Sequence, residues 1–129
     1  MKEKPKRILC IEDEAEMIEL MRLVLGRKGY QVSGAEGGQE GLEKVRAEMP
    51  DLVLLDLMMP DMGGWEVYQQ MKADDKMKDI PVIIVTAKAQ SIDKVLGLYI
   101  AKVDDYIAKP FSPSELIDSV ERVLRKPKT

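Results

Sequence analysis

Glu12-Asp13-Glu14 places three carboxylates directly after the apolar run Ile8–Ile11, and Asp56 follows the apolar run Leu52–Leu55. Thr86 ends a third run, Pro81–Val85, and Lys109 follows a short stretch closing at Ala108. Carboxylates, one hydroxyl and one ammonium therefore come from distant parts of the sequence. Three carboxylates about 5 Å apart repel by roughly 3 kcal/mol per pair at an effective dielectric near 20. One lysine does not offset three such pairs, so a clustered site of this kind wants a divalent cation. Oxygen donors without histidine or thiolate favour Mg²⁺, with Mn²⁺ as the alternative. Glu14 reads better as a solvated cap of the following helix, whereas Asp13 and Asp56 together suit a shared metal.

Asp56 is the most informative of these residues. Its apolar context should bury most of the side chain, and a charge so placed needs a strong compensating partner. A buried aspartate that is merely satisfied is the structural reading. The chemical reading is that a carboxylate beside Mg²⁺ and Lys109 attacks phosphorus as a covalent nucleophile. Metal and lysine would then screen the oxygens of a loose phosphoryl-transfer transition state, and Thr86 would hydrogen-bond one of them.

Composition narrows the alternatives. The 129 residues contain no histidine, which excludes catalytic triads, imidazole-ligated zinc and phosphohistidine on this chain. The single Cys10 lies inside an apolar run and reads as a buried, inert thiol. Without an internal disulfide, a reducing compartment, the cytoplasm, is expected. Twenty basic and 23 acidic residues leave a net charge of −3, which does not favour nucleic acid. No apolar run approaches the ~20 residues of a membrane span, and MKEKPKR is not followed by the apolar core of a signal peptide. The length suits one domain, expected over residues 1–125 with 126–129 as a tail or linker stub, and leaves no room for a separate output module.

Elements that bring these residues together are legible in the pattern. Continuous apolar runs suggest strands covered on both faces, as in a parallel sheet. Between them, Met17, Leu20, Met21, Val24 and Leu25 fall on one helical stripe, stopped at Gly29 after the cationic Arg27 and Lys28. Tyr30–Ser33 reads as a short edge strand. Gln39–Met49 predicts a second helix ended by Pro50, and Trp65, Tyr68 and Met71 space a third after Asp61-Met62-Gly63-Gly64. Ser91 to about Ala101 predicts a fourth, and Val103–Ala108 a fifth strand. Ser112, Pro113 and Glu115 form a capping box for the last helix, with Leu116, Ile117, Val120, Val123 and Leu124 as its core stripe. Five βα units imply an α/β fold, an open parallel sheet with helices on both faces, whose ligands bind beyond the strands' carboxyl ends.

Four segments, taken together and in order, carry a family resemblance: Ile8–Glu14, Leu54–Gly64, Val85-Thr86-Ala87 and Asp104–Phe111. The chain resembles the receiver domain of two-component response regulators, and the likeness spans nearly its whole length. It implies a flavodoxin-like (βα)5 doubly wound sheet with strand order 2-1-3-4-5. It implies phosphorylation of Asp56 by the phosphohistidine of a sensor histidine kinase or phosphotransfer protein. Asp13, Asp56 and the backbone carbonyl of Met58 would bind Mg²⁺, with Glu12 acting mainly through water. Lys109 would pair with Asp56 and then the phosphate, and its bond to Pro110 would be cis. Thr86 and Tyr106 would form a switch pair that alters a surface of the fourth helix, fifth strand and fifth helix, read by a downstream effector protein or output domain. Such a chain catalyses its own phosphorylation and dephosphorylation and acts as a switch more than a turnover enzyme. Phosphorylation-dependent dimerisation stays open.

Two departures from the family pattern stand out. Lys102 and Val103 replace the usual glycine and alanine, so the fourth helix and the loop after it are expected to be displaced or mobile. Glu12 replaces the more frequent aspartate, with a reach longer by one methylene. Rival readings fare worse. A haloacid-dehalogenase-type phosphatase needs an acid two residues after the nucleophile, where Met58 stands. The glycine-rich stretch Gly34–Gly41 follows the second strand, and Glu36 and Glu40 would repel a pyrophosphate. A receiver-like scaffold that is never phosphorylated would be expected to lack an acid, Asp56 or Lys109, and all are present.

Overall fold

A computed structural model describes residues 4–87 and 103–125. Five strands form one parallel sheet: β1 (Arg7–Ile11), β2 (Gln31–Ala35), β3 (Leu52–Leu55), β4 (Val82–Thr86) and β5 (Asp105–Ala108). Their order is β2-β1-β3-β4-β5. Four helices are present among the described residues: α1 (Ala15–Gly26), α2 (Gly38–Glu48), α3 (Gly64–Ala73) and α4 (Pro113–Arg125). The helix expected over Ser91 to Ala101, and Lys102 after it, lie outside the described residues.

Strand alternation divides the core between the two sheet faces. Leu9, Ile11, Val53, Leu55, Val82 and Ile84 pack with Leu42 and Val45 of α2 and Val67, Tyr68 and Met71 of α3. Ile8, Cys10, Leu52, Leu54, Ile83 and Val85 pack with Met21 and Leu25 of α1 and Leu116, Val120 and Val123 of α4. Both faces of the central strands are thus apolar, which is why their sequences run without alternation. Each fully buried aliphatic side chain contributes about 1.5–3 kcal/mol. Cys10 is one of these buried residues, and burial pushes its thiol up to about 12, so it behaves as a small hydrophobe.

The helix boundaries show how local signals act. In α1 the buried residues are Ile18, Met21 and Leu25, while Leu20 is exposed. Met17, Met21, Val24 and Leu25 of the expected stripe pack in the core, Leu20 does not, and Ile18 is buried against Gly34 of β2. The helix ends at Gly26, earlier than the cationic residues suggested, and Arg27 and Lys28 form a closing turn. Gly29 (φ 91) follows, with Tyr30 N–H donating to the Leu25 carbonyl and Gly29 N–H to that of Gly26. At α4 the capping box forms in full: Ser112 N–H donates to Glu115 Oε1 at 2.8 Å, and Glu115 N–H donates to Ser112 Oγ at 3.1 Å. The strand read from Val103 begins at Asp105, because Asp104 crosses to β4 instead. It gives its N–H to the Val82 carbonyl and accepts the Val82 N–H on its carboxylate.

Candidate functional site

The carboxyl ends of β1, β3, β4 and β5 deliver their residues to one end of the sheet. Parallel ladders fix the level of each: Asp56 N–H donates to the Ile11 carbonyl, Glu12 N–H to that of Ala35, and Lys109 N–H to that of Thr86. Glu12, Asp13 and Asp56 each place a carboxylate oxygen within 4.8 Å of the others. Glu12 and Asp56 are 1% and 4% exposed, whereas Asp13 is open to solvent. Such a group is all-oxygen, tightly spaced and open on one side, which suits a hard divalent cation that keeps some of its waters.

Lys109 enters this cluster from the end of β5. Its ammonium lies 2.6 Å from Glu12 Oε1, 3.6 Å from Asp56 Oδ2 and 3.8 Å from Glu14 Oε1. Its shortest contact is therefore with Glu12, where the resemblance implied Asp56. Glutamate's extra methylene supplies the reach, and a carboxylate so deeply buried needs a direct donor. Burial, reinforced by the charge of Asp56, raises Glu12 to about 7 even though Lys109 opposes the shift. Burial pulls the Lys109 ammonium down, but its hydrogen bond to Glu12 and the charges of Asp56, Glu12 and Glu14 outweigh it and hold it above its ordinary value. One cation among these acids leaves an excess of negative charge, which a divalent ion would balance.

The remaining candidate residues surround the cluster. Met58 donates its N–H to Asp56 Oδ1 at 3.1 Å, and its side chain is exposed. Thr86 is 1% exposed, and its hydroxyl has no hydrogen-bond partner among the described residues. A buried hydroxyl left in that state costs about 1–3 kcal/mol. Tyr106, beside Ile84 in the β4–β5 register, is 47% exposed and takes no part in the acid cluster. The Lys109–Pro110 peptide bond is cis. Glu14 stands at the N-cap of α1, but its side chain makes no capping hydrogen bond and reaches towards Lys109. Trp65 packs edge-on against Tyr68, with ring centroids 5.9 Å apart.

Gly64 and Asp61, read from the sequence as part of the entry to the third helix, make contacts that the sequence did not announce. A Cβ at Gly64 would lie 2.3 Å from the Asp56 carbonyl oxygen and 2.7 Å from Leu57 Cα, so only glycine lets α3 begin directly beneath the Asp56 backbone. Asp61 accepts N–H groups from Gly38 and Gln39 of α2, and those two hydrogen bonds hold its carboxyl below the usual range. Neither contact has a local sequence signature.

Residues 8–121 match the family model described as the response regulator receiver domain. The chain belongs to this family. As a receiver domain of two-component response regulators, it has relatives that extend well beyond it. The alkaline phosphatase synthesis transcriptional regulatory protein PhoP of Bacillus subtilis is 42% identical over 121 residues, covering 94% of this chain and 49% of PhoP. This chain thus spans about half the length of the curated relatives it matches. A response regulator from Chloroflexus aurantiacus J-10-fl has 31% identity and a TM-score of 0.87, over 95% of this receiver and 100% of that chain. The response regulator TrrA of Thermotoga maritima, solved in complex with Mg²⁺-BeF, has 35% identity and a TM-score of 0.81, over 92% and 98% of the two chains. The flavodoxin-like fold expected from the sequence is the fold observed. Receiver domains bind Mg²⁺ at an acidic site, and the acidic cluster of this one is Glu12, Asp13 and Asp56. No helix among the described residues is long and apolar enough to cross a membrane.

Proposed function

We propose that this receiver takes a phosphoryl group onto Asp56 from the phosphohistidine of a sensor histidine kinase or phosphotransfer protein. The observation that carries the reading is the convergence on Asp56 of two further carboxylates and the Lys109 ammonium. Glu12, Asp13, Asp56 and the Met58 carbonyl would hold Mg²⁺, with Mn²⁺ as a substitute. When bound, the ion neutralises the phosphoryl oxygens and the nucleophile's neighbours. Asp56 supplies the attacking oxygen: its bond to phosphorus forms as the phosphorus–nitrogen bond breaks, and the donor imidazole keeps the electron pair and takes up a proton. Lys109, already 3.6 Å from Asp56, stabilises charge on the transferred group. Thr86 acquires in the phosphoryl group the partner its hydroxyl lacks. Water attack on phosphorus reverses the modification, so the chemistry is self-modification rather than turnover.

The added group carries about −1.5 to −2 charge. By drawing Thr86 and Lys109 towards itself it would bias an existing two-state equilibrium. Tyr106, exposed in the present state, would turn inward as Thr86 moves. The surface that changes would comprise the segment before β5, β5 and α4, read by an effector protein or output domain, with no direct nucleic-acid contact by the receiver and with dimerisation as one outcome. The receiver would occupy residues 1–125, with 126–129 as a tail, and would act in the cytoplasm. The test is incubation with Mg²⁺ and acetyl phosphate, or with beryllofluoride, followed by intact mass or Trp65 fluorescence. A Mg²⁺-dependent adduct is expected in the native protein and none in Asp56→Asn. No native adduct, or an undiminished one in the variant, would sink the reading.

A further inference from the structure

The segment from Leu57 to Gly63 joins Asp56 to α3 and carries the Met58 peptide. Close to Asp56 it is fixed twice: Met58 N–H donates to Asp56 Oδ1 at 3.1 Å, and Gly64 N–H donates to the Leu57 carbonyl at 3.1 Å. Its outer part is held by a different element. Asp61 Oδ1 accepts the Gly38 N–H at 3.1 Å, and Oδ2 accepts the Gln39 N–H at 3.2 Å. These are opening N–H groups of α2, which no carbonyl inside the helix can satisfy. The residue before α2 is Gly37, which has no side chain to cap them. A carboxylate at that position also meets the positive end of the helix dipole. Contact is close enough to exclude side chains: a Cβ at Gly37 would lie 3.0 Å from Asp61 Oδ2, and one at Gly38 would lie 2.8 Å from Met62 Cβ.

We infer that Asp61 is a positioning residue for phosphorylation, clamping the loop to the first turn of α2 and so holding the Met58 peptide against Asp56. The inference rests on the function proposed above, in which the Met58 carbonyl and Asp56 share the cation. Asp61 is not one of the clustered acids and acts through the backbone. Without it the loop loses its hydrogen bonds to α2, and both Met58 and the Asp56 carboxylate gain freedom. Loss of a group hydrogen-bonded directly to a metal ligand typically weakens metal affinity by about 10–100-fold, and Asp61, one step further out, should act at the lower end of that range.

The experiment compares native protein, Asp61→Ala, Asp61→Asn and Asp51→Ala. Asp51 accepts the Arg7 N–H at the opposite end of the sheet, so its variant loses a similar surface contact far from the site. Adduct formation with beryllofluoride is followed against Mg²⁺ concentration, and amide hydrogen exchange is measured at Met58. Asp61→Ala should raise the Mg²⁺ midpoint by about tenfold and speed exchange at Met58. Asp61→Asn, with one acceptor oxygen, should fall between it and the native protein, and Asp51→Ala should match native on both readouts. A native adduct with Asp61→Ala and Asp51→Ala indistinguishable would overturn the inference and leave the proposed function standing. Absence of any native adduct would overturn both.

Discussion

Substituting alanine at two glycines should move stability in opposite directions, because their surroundings differ while the chemical change is identical. At Gly64 the new Cβ would sit 2.3 Å from the Asp56 oxygen, 2.7 Å from Leu57 Cα and 2.9 Å from the Asp56 carbonyl carbon. Ordinary contact begins at 3.4 Å, so backbone must part by roughly 1 Å, and no flexible side chain is there to give way. Alanine gains about 1 kcal/mol in helix propensity, against an overpacking cost at or above the upper end of about 1–3 kcal/mol. The net expectation for Gly64→Ala is a loss of about 2 kcal/mol or more. For a domain of this size, that lowers Tm by roughly 8 °C or more. At Gly26, the last residue of α1, an added Cβ meets nothing within 4 Å. Gly26→Ala should therefore stabilise by about 0.5–1 kcal/mol and raise Tm by a few degrees. Thermal unfolding followed by circular dichroism reads both. Gly64→Ala should also slow Mg²⁺-dependent adduct formation, because the displaced backbone belongs to Asp56. A Gly64→Ala protein that melts at or above the native temperature would refute the packing argument.

Thr86→Val removes a buried hydroxyl that has no partner among the described residues and keeps its shape, so the unphosphorylated protein should gain up to about 1 kcal/mol of stability. Urea titration checks this, and the same variant should fail to change Trp65 fluorescence on beryllofluoride binding. Burial raises Glu12 from 4.5 to about 7, so the folded protein keeps a proton that the unfolded chain releases between those values. The contribution is fully present below pH 4.5 and lost as pH rises through 7. Glu12→Gln should consequently stabilise the metal-free protein more at pH 8 than at pH 5, a difference readable by urea unfolding; a constant increment across that range would contradict the assignment. Ser112→Ala removes one half of the α4 capping box and should cost about 1 kcal/mol, measured as a Tm decrease of a few degrees.

The central strands were legible because both of their faces are buried: Ile8–Ile11, Leu52–Leu55 and Val82–Val85 have no solvent side to require polar residues. The α4 cap was legible because Ser112 and Glu115 satisfy each other within one turn. The start of α2 was placed within one residue, at Gln39 against Gly38, but its cap was not legible, since it is Asp61, 23 residues beyond Gly38. Leu20 looked like core from spacing alone, yet it is exposed, while Ile18, about 200° round the helix from it, is buried. At the site, strand ends told which residues could meet, and the family resemblance supplied the metal and switch roles. Which carboxylate Lys109 approaches most closely depended on the reach of Glu12 and the depth of its burial, neither of which is written in a motif.

The contact between Lys109 and Glu12 joins positions 97 residues apart. A ribosome that has released β1, β3 and β4 has made every acid of the cluster but has not yet delivered the ammonium that offsets part of their repulsion. The same ordering applies to any partly unfolded chain in which β5 detaches from β4. On the proposed function, competence to receive phosphate would thereby be tied to completion of the sheet, since an unfinished or frayed molecule lacks Lys109 beside Asp56.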